Sequence, residues 1–195
     1  MWRRRPVPPF RRPLFNRTGL GMAQVNPKLM EANQLFENGN YAAAAEIYED
    51  LAEKAQARGI PQSPHLYLFA GTARMKADEI QSALALFKRG LGLLIERKKW
   101  GRLKNASENT IEKLQNNSFK EQAAELRTWL DEQIPAEVKA LPIWIAGTRE
   151  FTNKKKLPSH CPTCGGPINL KELDWGGSNA ICNYCGSLLT NDQDS

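Results

Sequence analysis

Histidine is nearly missing from this 195-residue chain: His65 and His160 are the only two. Two histidines so far apart in sequence cannot form the HExxH helix of a metalloprotease. Long apolar runs are equally scarce. The longest, LGLLI at 91–95 and LPIWIAG at 141–147, fall far short of the roughly 18–20 residues that cross a bilayer, so no transmembrane helix is expected. There is no phosphate-binding loop, no glycine-rich dinucleotide fingerprint and no nucleophile elbow. Neither an enzymatic activity nor a small-molecule substrate is therefore expected. Acidic residues are absent from positions 1–30, and cysteine is absent from the first 160 positions.

What those first residues hold instead is arginine. Arg3, Arg4, Arg5, Arg11, Arg12 and Arg17, with Lys28, account for the whole +6 net charge, because positions 31–195 carry 20 basic against 21 acidic residues. Positions 1–25, rich in Arg, Pro and Gly, show neither helical nor strand periodicity and read as a disordered arm. The start has the positive charge of a signal peptide, but prolines and arginines interrupt the stretch where an apolar core should follow. RRPLF resembles a twin-arginine signal only in its arginines. Met22 is a second possible start, since MAQVNPKLMEANQLF leads straight into ordered sequence.

From 26 to 134 apolar residues recur three or four apart among good helix formers, which predicts long helices. Shifting the region by 39 residues aligns Tyr41, Ile80 and Phe119, each just after a turn-like stretch: ENGN, KADE and QNNS. Ala44 then aligns with Ala83, Tyr48 with Phe87 and Leu126, and Leu51 with Gly90 and Trp129. Ala32 and Gly71 occupy small-residue positions where helices come close. The third block departs from the pattern, with Thr110 and Gln122 at the small-residue positions and Ala123 next door. Ser118 and Glu121 have the spacing of a capping box for the last helix, which Pro135 ends. A plain six-helix bundle is the alternative architecture.

These blocks resemble the tetratricopeptide repeat, whose mark is a small residue in the first helix and Ala-x3-aromatic in the second. AGTARMKADEIQSALALFKRGL at 70–91 and ANQLFENGNYAAAAEIYEDL at 32–51 carry it best. The resemblance covers about 105 residues, and 39 exceeds that family's usual 34. It implies stacked helical hairpins with a concave groove for a protein or peptide. Carried over residue by residue, the groove positions are Asn33, Phe36, Glu37, Leu68, Thr72, Met75, Lys76, Ile111 and Gln115, although Phe36, Leu68, Met75 and Ile111 read equally well as core. The carboxylate clamp of some relatives is not implied, because Leu29 stands where it needs lysine.

A linker at 135–159 leads to the cysteines, and Trp144 with its apolar neighbours must fold back onto something to avoid an exposed patch. Cys161-x2-Cys164 and Cys182-x2-Cys185, with 17 residues between the pairs, have the spacing of a structural site in which four thiolates hold one Zn2+. In CPTCGG and CNYCGS the glycine after the second cysteine permits the tight turn that brings both sulfurs to one ion. The stretch 160–190 resembles a zinc ribbon, which implies two knuckles joined by a hairpin, with Trp175 over a small core and 191–195 as a tail. Two disulfides and a rubredoxin-like iron site are the competing readings, and His160 is expected to be a bystander beside the first ligand.

The expected fold is therefore mainly α, a tetratricopeptide-like α-solenoid, plus a small β zinc ribbon. The expected function is that of a cytoplasmic, non-enzymatic adaptor. A first alternative is nucleic-acid association through the arm, ERKKWGRLK at 96–104 or NKKK at 153–156. The ribbon argues against its own role there: from 157 to 195, Lys171 stands alone against Glu172, Asp174, Asp192 and Asp194. A second alternative is peripheral binding of the arm to an anionic membrane, with Trp2, Phe10, Leu14 and Phe15 among the arginines. The arm also contains Arg3-x-x-Pro6-x-x-Pro9, a pattern read by some proline-recognition domains.

Overall fold

The computed structural model describes residues 27–141, 157–168, 173–176 and 179–189. Seven helices appear among them: α1 Pro27–Glu37, α2 Tyr41–Ala57, α3 Ser63–Lys76, α4 Ile80–Glu96, α5 Trp100–Asn116, α6 Lys120–Gln133 and α7 Ala136–Lys139. A small antiparallel sheet follows, in the order β1 Asp174–Gly176, β2 Asn179–Ile181, β3 Leu188–Leu189. Asp174 pairs with Ile181, and Ala180 with Leu189. The protein is thus mainly helical, with its strands near the carboxyl end. None of the described helices is long and apolar enough to cross a membrane.

Five of the helices end in the same way. After α1, the amide of Gly39 donates to the carbonyl of Phe36 and that of Asn40 to Leu35, the paired bonds of a Schellman turn. The same pair recurs after α2 (Gly59, Ile60), α3 (Asp78, Glu79), α4 (Lys98, Lys99) and α5 (Ser118, Phe119). The residue at the turn must be left-handed, and Gly39, Gly59, Asp78, Lys98 and Ser118 all have φ between 52° and 79°. Only two of the five are glycine. Lys98, with a φ of 52°, carries the steric cost of a Cβ in that region. Lys98→Gly is expected to raise unfolding stability by about 0.5–1 kcal/mol, read from urea denaturation midpoints.

This geometry revises two sequence expectations. Ser118 is not a helix cap: it is the left-handed turn residue, α6 is capped by Phe119, and no side-chain cap bond forms. Helices α2, α4 and α6 start at Tyr41, Ile80 and Lys120, so the third hairpin lies one residue beyond the 39-residue offset. Ala123 consequently takes the buried place, alongside Ala44 and Ala83, while Gln122 stays at the edge.

Two apolar clusters fill the interior, and α3 is the wall between them. Leu66, Tyr67, Phe69, Ala70 and Ala73 of α3 join α1, α2 and the cysteine-bearing lobe. Leu68 and Met75 join α4, α5, α6 and Val138 of α7. Of the expected linker, α7 thus belongs to the helical core through Val138, next to Ile134 at the end of the expected helical region. Trp144 and its neighbours lie outside the described residues, as does the side chain of Trp175.

At the start of α3, Arg97 fastens the end of α4: its guanidinium donates to the carbonyls of Ile60 and Pro61 and to Ser63 Oγ. Beside it, burial and then the charge of Arg102 push the His65 pKa from 6.5 down to about 4. The folded state therefore refuses a proton that the unfolded chain accepts. Stability is full above about pH 6.5 and falls as the pH drops toward about 4, by at most about 3 kcal/mol. His65→Gln is expected to remove that part of the acid sensitivity, seen as a flatter plot of urea midpoint against pH. An unchanged plot refutes the assignment.

Candidate metal centre

Each cysteine pair is held by the same short backbone loop. In the first, the Cys161 amide donates to the Gly166 carbonyl at 2.8 Å and the Gly165 amide to the Cys161 carbonyl at 2.9 Å. In the second, the Cys182 amide donates to Ser187 at 2.9 Å and the Gly186 amide to Cys182 at 2.8 Å. Gly165 and Gly186, each just after the second cysteine, have φ of 69° and 77°. Other residues adopt that conformation only with strain. The loops thus turn both sulfurs of each pair the same way, and β2, which leads into the second, is tied to β1 and β3.

The result is one cluster. The Sγ atoms of Cys161, Cys164, Cys182 and Cys185 all lie within 4.8 Å of one another. Cys161 to Cys185 and Cys164 to Cys182 are each 3.8 Å. A disulfide needs about 2.05 Å, so these are thiols and not crosslinks. A tetrahedron with metal–sulfur bonds of about 2.3 Å has edges of about 3.8 Å, and the donor set therefore fits one tetrahedral ion.

Four thiols this close cannot all ionise unless a cation shares their charge. Their pKa values separate accordingly. Cys161, hydrogen-bonded by Cys164 foremost and then by Cys182 and Cys185, is held far below the ordinary thiol range. Cys164 and Cys182 are pushed far above it, chiefly by contact with Cys161. For Cys185 the contact with Cys161 acts upward, but Cys164, Cys182 and Ser187 outweigh it and bring the thiol down to about 6. Ser187 Oγ stands 3.0 Å from Cys185 Sγ and 3.3 Å from Cys161 Sγ, where a hydroxyl can donate to thiolate. His160 is exposed and takes no part in the cluster; its Nδ1 meets Ser159 Oγ and its Nε2 lies 3.9 Å from Glu37 Oε1.

The lobe is seated on the helices. Asn33 of α1, only 3% exposed, donates through Nδ2 to the carbonyl of Cys164 at 2.7 Å. Its Oδ1 accepts from the Tyr48 hydroxyl, also at 2.7 Å. Burial pushes the Tyr48 pKa up, so the phenol remains a donor. On α3, Phe69 stacks on Tyr184, with ring centroids 3.6 Å apart and planes 4° from parallel. A Cβ on Gly166 would come within 2.7 Å of the Tyr184 ring, and one on Gly186 within 2.5 Å of Gln62 Nε2. Tyr184 is thus pressed between the first cysteine loop and helix α3.

The nine residues expected to line a groove fall into three groups. Asn33 is covered by the lobe. Leu68, Met75 and Ile111 are buried in the second cluster, and Phe36 packs half-buried beside the first, edge-on to Tyr41. Glu37, Lys76 and Gln115 are exposed, and Thr72 is part-buried with its hydroxyl on the Leu68 carbonyl. Lys76 Nζ donates to Asn117 Oδ1. Of the basic stretch 96–104, Arg97 is committed to the α3 start and Lys104 is 6% exposed with Glu108 3.9 Å away, so Lys98 and Lys99 are its openly exposed cations. The six arm arginines and 153–156 lie outside the described residues.

Phe69, Tyr184, Ser187 and Gln62 were not among the residues singled out from sequence. A signal for the first existed: LYLFAG at 66–71 is apolar on every side of its helix, and a helix of that kind must be covered on more than one face. Fold and site together define a helical protein with a four-cysteine lobe whose sulfurs are placed to hold a metal ion. No protein-family model, curated protein or solved structure matches the chain.

Proposed function

We propose that the chain is a non-catalytic interaction module, in which a tetratricopeptide-like stack of helical hairpins offers a groove to a peptide or protein and a zinc ribbon holds one structural Zn2+. The four-sulfur cluster, with two edges of 3.8 Å and all four sulfurs within 4.8 Å of one another, carries the metal reading. Four thiolates would fill a tetrahedral ion completely and leave no position for a reacting water, which suits a structural role over a catalytic one. Free thiols in this arrangement suit a reducing compartment such as the cytoplasm.

The stacked-hairpin reading draws support from the close approaches. A Cβ on Gly71 of α3 would meet the Phe87 ring of α4 at 2.7 Å, and one on Gly90 would meet the Pro64 carbonyl at 2.8 Å. Gly71 sits at the small-residue position of the repeat pattern, whereas Gly90 aligns with Leu51 and Trp129 and its close approach is particular to this hairpin. The exposed groove rim, Glu37, Lys76 and Gln115, is the surface left for a partner.

Elemental analysis of the purified chain tests the metal: about one zinc per chain is expected, and iron or no stoichiometric metal refutes it. For the groove, capture of a partner should survive removal of residues 1–22 and be lost on Lys76→Glu with Gln115→Glu. Capture that follows the arm would overturn the groove.

A further inference from the structure

The lobe touches the helices at points contributed by both cysteine loops. The Cys164 carbonyl, on Asn33, belongs to the first loop; Tyr184, on Phe69, and Gly186, at Gln62, belong to the second. Cys164 and Tyr184 are twenty residues apart in sequence. What brings their loops together is the sulfur cluster itself, with Cys164 and Cys182 at 3.8 Å. Around it the lobe has little else: Leu173, Ala180 and Leu189 are its buried apolar side chains besides the cysteines, among the described residues. A unit this small does not hold its shape by apolar burial alone.

We propose that the cysteine lobe is a metal-gated plug for the first part of the helical groove. Metal binding would hold both loops in the one geometry that reaches α1 and α3 together, and loss of metal would release Asn33 and Phe69 for a partner. The reasoning is that of a two-point ligand. When the points are rigidly linked, engaging the first presents the second at high local concentration; when the link slackens, each contact acts alone. A structural ion that orders such a unit is also the link between its points. The uncovered seat offers a side-chain amide donor beside an aromatic face, which suits an extended segment bearing an aromatic residue. This inference rests on the metal reading above.

The test uses the full-length chain with Glu37→p-benzoylphenylalanine. Glu37 is half-exposed at the seam, next to His160 of the lobe, so it tolerates a photo-crosslinker. Zinc content is measured on the same samples. With zinc bound, irradiation should join position 37 to residues 157–189. Chelation should cut the crosslink about tenfold and zinc should restore it. Tyr184→Ala and, from the helical side, Asn33→Ala should each retain zinc yet lower the crosslink. A zinc-loaded chain that gives no crosslink, or a crosslink unchanged by chelation, overturns the gate while leaving the metal site standing. A chain that takes up no zinc refutes the metal reading, and the gate with it.

Discussion

Removing the metal, or replacing Cys164 by serine, is expected to unfold residues 157–189 while helices α1–α6 stay folded. The effect should be the largest available in this molecule. Structural zinc in small units of this kind contributes apparent binding energies of about 10–16 kcal/mol, and that binding is what folds them. Cys164 is fully buried and touches Cys182, and its carbonyl carries the contact with Asn33. Serine has no soft thiolate to offer, so the ion would keep three ligands at most. Hydrogen exchange followed by mass spectrometry provides the measurement: amides such as Cys161, Cys182 and Gly186, bonded within the loops, should lose protection on chelation, whereas those of α4 and α5 should not. Protection in the lobe that outlasts the metal would contradict the expectation.

The second large effect lies in the helical core. Phe87 is 1% exposed and rests against the bare Cα of Gly71. Phe87→Ala should destabilise the chain by about 3–5 kcal/mol, the usual range for deleting a buried ring, against a total of about 5–15 kcal/mol for a folded domain. Gly71→Ala presses a methyl to 2.7 Å from that ring and should cost about 1–3 kcal/mol by overpacking. The two should not add. Once the ring is gone the methyl has room, so the double variant should cost less than the sum, and the shortfall measures the contact. Urea denaturation at saturating zinc gives all four corners of the cycle, and strict additivity would show that Gly71 is not small for the sake of Phe87.

Much of this architecture was readable because its causes are local. The helix spans between turns follow from apolar spacing, and ENGN, KADE and QNNS each contain the residue that turns left-handed or adjoins it: Gly39, Asp78 and Ser118. The one-residue slip of the third hairpin escaped, because a turn can absorb an extra residue with no change in apolar period. The capping reading of Ser118 failed for a related reason. A serine three residues before a glutamate fits a helix start, but the backbone amides there were already engaged by the Schellman turn of α5.

By itself the sequence determined that four thiols would converge, since Cys-x2-Cys-Gly fixes each pair within a few bonds and two such pairs have the spacing of a single four-sulfur site. It also determined the helices and the small residues that let them approach. Only the tertiary structure decided that Asn33, expected from the sequence to line a groove, binds the carbonyl of Cys164, a residue 131 positions away. The same holds for Phe69, whose ring faces Tyr184 and not solvent. A pairing across that distance leaves no period or spacing in the chain, because it arises when two finished surfaces meet and the free energy of their contact belongs to neither segment alone.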